Sequence, residues 1–361
     1  MERLKSIDIF RGFMIFGMLF THLRDWWVIG GSNSILNYYT RQFTDRIFGS
    51  GFLFIAGVSV YISYSNRLNR STEYSQKLIR SEYFIRSALI LLVAILYNIF
   101  VAIMYLDVSL IWTWFVLFSI AISLFIVWPL LKTPKLFRVF IAIIIFLINE
   151  FLLRILAPYE GTPTINGALY HLLFNSLGLD PILSSFCFLL IGTVIGNIIT
   201  DLNNSEDQIR RKKMLRNKLL LPCFICGLIL ILYTFIFIFP PFFHNIGFNW
   251  FFYAMGACLI FLAALILAEE IGIFSTKRSY RFLYYFSFYS LLVYLSHNIL
   301  FFVFNELLNF YNFWLFFSGV VIIIGLVLRR VYKKWGPKAA LKIRLSKYAT
   351  RIALNLINEK Q

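Results

Sequence analysis

Residues 7–29 read IDIFRGFMIFGMLFTHLRDWWVI, and this stretch decides the fold. As a helix rising about 1.5 Å per residue it is about 35 Å long, enough to cross a hydrocarbon core of about 30 Å. Apolar side chains occupy every face, so it suits no surface helix, and it is too long for a membrane strand. Ionisable side chains interrupt it, Asp8, Arg11 and His22 within the span and Arg24 and Asp25 near its end. Inside a bilayer such groups are costly, and they mark either function or a specific interhelical partner. A secretory leader is the other reading of an N-terminal apolar run. Arg11 breaks that run and no small-residue cleavage site follows, which predicts a retained span.

Outward from this stretch, apolar runs of spanning length recur at 47–65, 84–105, 110–131, 136–157, 182–200, 219–239, 248–268, 282–304 and 314–328. The 361 residues are 60% hydrophobic and only 14% charged, against about 25% charged in soluble domains. The prediction is an all-α polytopic membrane protein of about ten transmembrane helices. Lys and Arg number 34 against 17 Asp and Glu, a net +17 that would by itself suggest nucleic acid. Their placement says otherwise. With the N-terminus in the cytoplasm, every Lys and Arg lies at the cytoplasmic side except Arg24, Arg41, Arg46 and Arg154. This asymmetry predicts ten spans with both termini cytoplasmic and no nucleic-acid partner. Cysteines introduced at Asn166 and Asn245 should react only from outside, and those at Asn204 and Lys342 only from the cytoplasm; one site labelled from the wrong side contradicts the topology. Beyond Gly336-Pro337, residues Leu341, Leu345, Tyr348, Ile352 and Leu356 fall on one helical face with Lys338, Lys342, Lys347 and Arg351 off it. Residues 1–333 are thus read as a transmembrane body and 334–361 as a basic amphipathic tail lying on the inner leaflet.

Arg11 and His22 are eleven residues apart. At about 100° and 1.5 Å per residue they return to within ~20° of one face, about 16–17 Å apart. Arginine holds phosphate in bidentate fashion, and histidine suits proton transfer near neutrality. The separation is comparable to an extended pantetheine arm, so coenzyme A phosphates near Arg11 would bring a thioester near His22. A structural reading is also open: Arg11 snorkels and pairs with Asp8, while His22 bonds a neighbouring helix. All four histidines, His22, His171, His244 and His297, fall in the outer half, and His297 matches the depth of His22. Their spacing follows no metal-ligand signature, and no metal is expected. His297 reads as a second polar wall of the same cavity or as an interhelical partner. Asn98 adds an intramembrane polar group, and Glu150 and Arg154 are spaced for an i, i+4 pair. Asp45 and Arg46 cap the outer end of the second span, where Gly49, Gly51 and Gly57 allow close packing. Cys187, Cys223, Cys226 and Cys258 all sit in apolar runs and read as small buried hydrophobes.

Ser6-Ile7-Asp8-Ile9-Phe10-Arg11-Gly12, the run to His22, Asp45, and Phe52-Leu53-Phe54-Ile55-Ala56-Gly57-Val58-Ser59 together resemble the transmembrane acyltransferases related to heparan-alpha-glucosaminide N-acetyltransferase. Asp180-Pro181 with Gly192 and Gly196, and Tyr289-Ser290-Leu291-Leu292-Val293-Tyr294-Leu295-Ser296-His297, resemble the family's later segments. The Arg11–His22 arrangement is also similar to the motif of the wider acyltransferase-3 group. Two positions depart from the pattern: Ile35 stands where a histidine is expected ahead of Asp45, and Ile182-Leu183 where Glu-Gly is usual. The resemblance implies a membrane enzyme, expected in the cell membrane. It would carry an acetyl group from cytoplasmic acetyl-CoA, its acyl-CoA donor, to an extracytoplasmic saccharide or glycolipid acceptor, at a sugar amine or hydroxyl. It would assign His22 as general base or acyl carrier with His297 as second catalytic residue, Arg11 and Asp8 to the donor, and Asp45, His171 and Asp180 to the acceptor side. A homodimer is an open alternative to a monomer. The rival reading from another class is a transporter or lipid flippase with the same polar pathway and no chemistry; the sequence shows no inverted repeat in its favour.

Overall fold

Helix α1 runs over Lys5–Trp27 and stops where Val28 turns extended. The chain beyond it pairs with the segment that follows His297: Glu306 N–H and Leu308 N–H donate to the carbonyls of Trp26 and Trp27, and Ile29 N–H to that of Leu308, all at 2.8 Å. Carbonyls left open at the helix end are thereby satisfied, and that end of α1 is fixed beside residues 297–308. The computed structural model of the chain describes residues 4–30, 40–69, 76–174, 181–205, 207–237, 248–274 and 280–358.

The remaining helices are α2 (Arg46–Leu68), α3 (Gln76–Tyr105), α4 (Val116–Leu130), α5 (Lys135–Leu156), α6 (Ile165–Leu173), α7 (Ile182–Asn203), α8 (Gln208–Met214), α9 (Leu221–Phe237), α10 (Phe248–Glu270), α11 (Arg281–Phe288), α12 (Ser290–Ser296), α13 (Phe310–Trp335) and α14 (Leu341–Asn358). A π-helical turn at Arg41–Asp45 leads into α2, and another at Leu215–Leu220 joins α8 to α9. Among the described residues there is no strand, only an isolated bridge between Val28 and Leu308. Among the described residues, nine helices are long and apolar enough to cross a membrane. The chain is an all-α polytopic membrane protein.

The tenth expected span, 282–304, is not one straight helix. It breaks by 69° between α11 and α12 and ends in a 3₁₀ turn at His297–Phe302. No proline causes the break. Tyr289 leaves the helical region (φ −101°, ψ 21°) and its hydroxyl donates to the Gly336 carbonyl at 2.8 Å. Lys342 Nζ of α14 donates to the Ser287 carbonyl at 3.0 Å. Backbone groups freed inside a membrane protein need such substitutes.

Helices α7 and α1 are the most enclosed, with 78% and 67% of their spanning residues buried, so the core forms around them. Two backbones meet where α2 crosses α7: a Cβ on Gly192 would stand 2.1 Å from the Phe54 carbonyl oxygen, and one on Gly57 1.9 Å from that of Leu189. The contact is backbone on backbone, so no side chain can yield. Gly192→Val should therefore lie at or beyond the upper end of the about 1–3 kcal/mol typical of overpacking. A thermal melt of the purified variant in detergent checks this; an unchanged midpoint contradicts the close approach.

The tail departs from expectation in how it docks. Helix α14 packs on α3 through Ala349 and Ala353, both fully buried. The anticipated face is still free, with Tyr348, Ile352 and Leu356 exposed. Small residues seat the helix and large apolar ones remain outside. Cys226 is likewise exposed rather than buried, unlike Cys187, Cys223 and Cys258.

Candidate active site

His22 and His297 come together although 275 positions of chain separate them. Their ring centroids lie 4.9 Å apart. Trp26, one turn beyond His22, stacks on both imidazoles at 5.2 and 5.8 Å. The two rings differ in their hydrogen bonding. His297 is buried, with Nδ1 against the Tyr294 carbonyl. A carbonyl only accepts, so Nδ1 carries the proton and Nε2 holds a lone pair, and Nε2 has no protein partner among the described residues. His22 is half-buried and makes no hydrogen bond among the described residues. Its ring opens onto a cavity.

That cavity measures about 590 Å³, and Asp25, Asp45, Tyr97, Tyr294 and Asn298 line it with His22. Its size falls within the range of about 300–1,000 Å³ usual for small-molecule sites. Its polar wall is organised by Arg24, which is fully buried. Nη1 and Nη2 of Arg24 donate to Asp45 Oδ1 and Oδ2 at 3.2 and 2.9 Å, Nε and Nη2 to Asp25 Oδ1 at 3.2 and 2.9 Å, and Nη1 also to Thr40 Oγ1 at 2.5 Å. All five N–H groups are used, so the guanidinium fixes both carboxylates beside His22. Asn298 donates to the Tyr97 hydroxyl at 3.0 Å, tying α3 to the 3₁₀ turn behind the site. Asp107 also lines the space. With one Arg24 charge against Asp25, Asp45 and Asp107, the lining is net acidic.

At the opposite, basic end, Arg11 reaches across to two neighbours. Nη2 donates to Ser59 Oγ of α2 at 2.6 Å and Nη1 to Ser287 Oγ of α11 at 3.5 Å, with Asp8 Oδ1 at 3.8 Å. Ser287 Oγ donates in turn to buried Asp8 at 3.2 Å. Asp8 thus positions Arg11 through a salt bridge and a shared serine, and Arg11 stays partly exposed at 20% of its side chain. The His22 cavity stops short of this end: Met18 and Phe52 line it, but neither Arg11 nor Ser59 does. Along the two helices, buried Ile15 of α1 and buried Ile55 of α2 are intervening positions, each in its own part of the core.

Other sequence candidates lie elsewhere. His171 is on α6 and lines a separate open hollow with Glu160 and Thr164. Asp180 and His244 fall outside the described residues. Glu150 is buried and accepts from Asn149, whereas Arg154 is exposed, so the i, i+4 pair is not formed. Asn98 donates to the Ile111 and Thr113 carbonyls at 3.1 and 2.9 Å and holds the turn before α4, away from the cavity. Among the described residues no group of three or more His, Cys, Asp or Glu side chains is placed for a metal ion. Sequence alone does not mark Arg24, Asp25 and Trp26 as site residues, since charged and aromatic residues are common at a span end.

Residues 3–238, more than half of the chain, match the family model described as heparan-alpha-glucosaminide N-acetyltransferase, catalytic. The match takes in α1 to α9 with Arg11, His22, Arg24 and Asp45, and ends before His297. No curated protein matches the chain.

Proposed function

The chain belongs to the heparan-alpha-glucosaminide N-acetyltransferase catalytic family, and from that premise we propose that it moves an acetyl group from cytoplasmic acetyl-CoA to the amine or hydroxyl of an extracytoplasmic saccharide or glycolipid. One observation carries this reading: His22, with no hydrogen bond among the described residues, faces a 590 Å³ cavity walled by carboxylates that a fully used arginine fixes in place. The basic end of the bundle is cytoplasmic by the distribution of Lys and Arg, so donor and acceptor arrive from opposite sides.

In this reading Arg11 holds the donor's phosphates with its two forward-facing nitrogens, exchanging the neutral serine hydroxyls for charged oxygens. The acyl arm then spans the roughly 16 Å to His22 along α1. At the cavity, His22 takes the proton of the acceptor N–H or O–H as the nitrogen or oxygen attacks the thioester carbon. The C–S bond breaks, the new C–N or C–O bond forms, and the proton passes from His22 to the departing thiolate. His297 backs the His22 ring, and the acidic lining draws a cationic amino sugar into the cavity, where the ammonium first gives up one proton to solvent so that the neutral amine, with its lone pair free, is the species that attacks. Residues 1–333 form the transferase body in this account, in the cell membrane, and 334–361 its cytoplasmic tail. The test is acetyl-CoA turnover by the purified protein offered amino sugars: release of free coenzyme A thiol together with acetylated sugar is expected, and donor movement with no thiol release supports the transporter reading instead.

A further inference from the structure

Ser63 and Arg67 follow Ser59 on one face of α2, so Arg67 stands about 12 Å beyond the Arg11 contact on the side away from His22. There α2, α3 and α4 leave a cavity of about 50 Å³ lined by Ser63, Tyr64, Arg67, Tyr83, Arg86 and Trp128. A space this small has room for one phosphoryl group and not for a nucleoside. Its cations differ in what holds them. Arg67 is tied to Glu82 at 2.6 Å, and the other Glu82 oxygen accepts from Thr350 of α14 at 2.8 Å. Arg86 is half-buried and has neither hydrogen bond nor ion pair among the described residues. The charges that act on it are two arginines, Arg67 and Arg11, and one carboxylate, Glu82, already engaged. A partly desolvated cation facing like charges is unfavourable unless an anion joins it. The hydroxyl-bearing Ser63 and Tyr64 also line the space and can donate.

We propose that Arg86, with Arg67, binds a phosphate monoester. Two sources present one at this face: the 3′-phosphate of coenzyme A and the headgroup of phosphatidic acid. The first rests on the donor reading above and fits its order, since thiol, pyrophosphate and 3′-phosphate of an extended coenzyme A follow one another as His22, Arg11 and Arg86 do. Donor binding through this pocket would also give α14 a positioning role, because Thr350 helps hold the Glu82 that restrains Arg67.

The experiment compares full-length wild type with Arg86→Gln, measuring acetyl-CoA and acetyl-3′-dephospho-CoA affinity in detergent and thermal stabilisation by phosphatidic acid vesicles. Wild type should prefer acetyl-CoA by about tenfold or more, as expected for a charge-assisted phosphate contact. Arg86→Gln should lose that preference by binding acetyl-CoA more weakly while its dephospho-CoA affinity stays the same. Arg86→Lys, which keeps a point charge without the fork, should retain part of the preference and serves if the glutamine variant fails to fold. If the preference is unaffected but stabilisation by phosphatidic acid disappears in the variant, the phosphate site stands and its source is lipid. If neither changes, the proposal is overturned. Wild type that binds neither nucleotide contradicts the donor reading, and the vesicle measurement still decides the role of Arg86.

Discussion

His22→Ala should abolish acetyl transfer while leaving acetyl-CoA binding nearly intact. Loss of a positioned general base typically costs 10²–10⁴-fold, more than a packing change takes from an intact fold. The substitution is local: His22 is half-buried, has no hydrogen bond to lose among the described residues, and faces the cavity. It lies about 16 Å from Arg11 along α1, too far to touch the donor's phosphates. His297→Ala should be milder. His297 packs at a tilt against His22 and stacks on Trp26, so its removal loosens the ring behind the base and affects acceptor use before donor binding. Single-turnover transfer in the two variants, each shown to be folded and to bind donor, makes the comparison. Near-normal transfer by His22→Ala removes the assignment, and a larger loss in His297→Ala moves the catalytic role to the 3₁₀ turn.

The second large effect concerns the donor. Arg11→Ala should weaken acetyl-CoA binding by about ten- to a hundredfold, since hydrogen bonds to charged groups contribute roughly 1.5–3 kcal/mol. Arg11→Lys should recover only part of this, because an ammonium cannot reach Ser59 and Ser287 sides at once or fork onto a phosphate. Asp8 is the reason for a folding control. Buried at 3% exposure, it keeps its bond from Ser287 but loses the Arg11 guanidinium when Arg11 goes. Affinity measured on protein with a wild-type melting midpoint answers the question. Unchanged affinity in Arg11→Ala would leave Arg11 as the partner of Asp8 and nothing more.

Much of this was legible in the sequence because the bilayer imposes simple rules. Length and all-round apolarity located the spans, and the costly side chains within α1 pointed to Arg11 and His22. The break at Tyr289 was not legible. It is accompanied by partners from far along the chain: Lys342 donates to the Ser287 carbonyl at the break, and Gly336 accepts from the Tyr289 hydroxyl. Arg24 read as a charge at the outer boundary, whereas it is buried with every donor engaged; only the fold brings Asp45 to it. The tail's docking face was missed for another reason. Periodicity weights large apolar residues, and the contact with α3 is made by Ala349 and Ala353. The pocket at Arg86 was hidden within a run of basic residues whose number alone explains the topology.

In the proposed function, the protein cleaves a thioester and uses His22 to do it. The most direct measurement follows acetyl-labelled acetyl-CoA added outside proteoliposomes with the basic end outward and amino sugars enclosed. Wild type is predicted to release coenzyme A thiol outside and accumulate acetylated sugar inside in equal amounts, with both signals lost in His22→Ala. Intact acetyl-CoA accumulating inside, or equal thiol release by wild type and His22→Ala, would contradict the account.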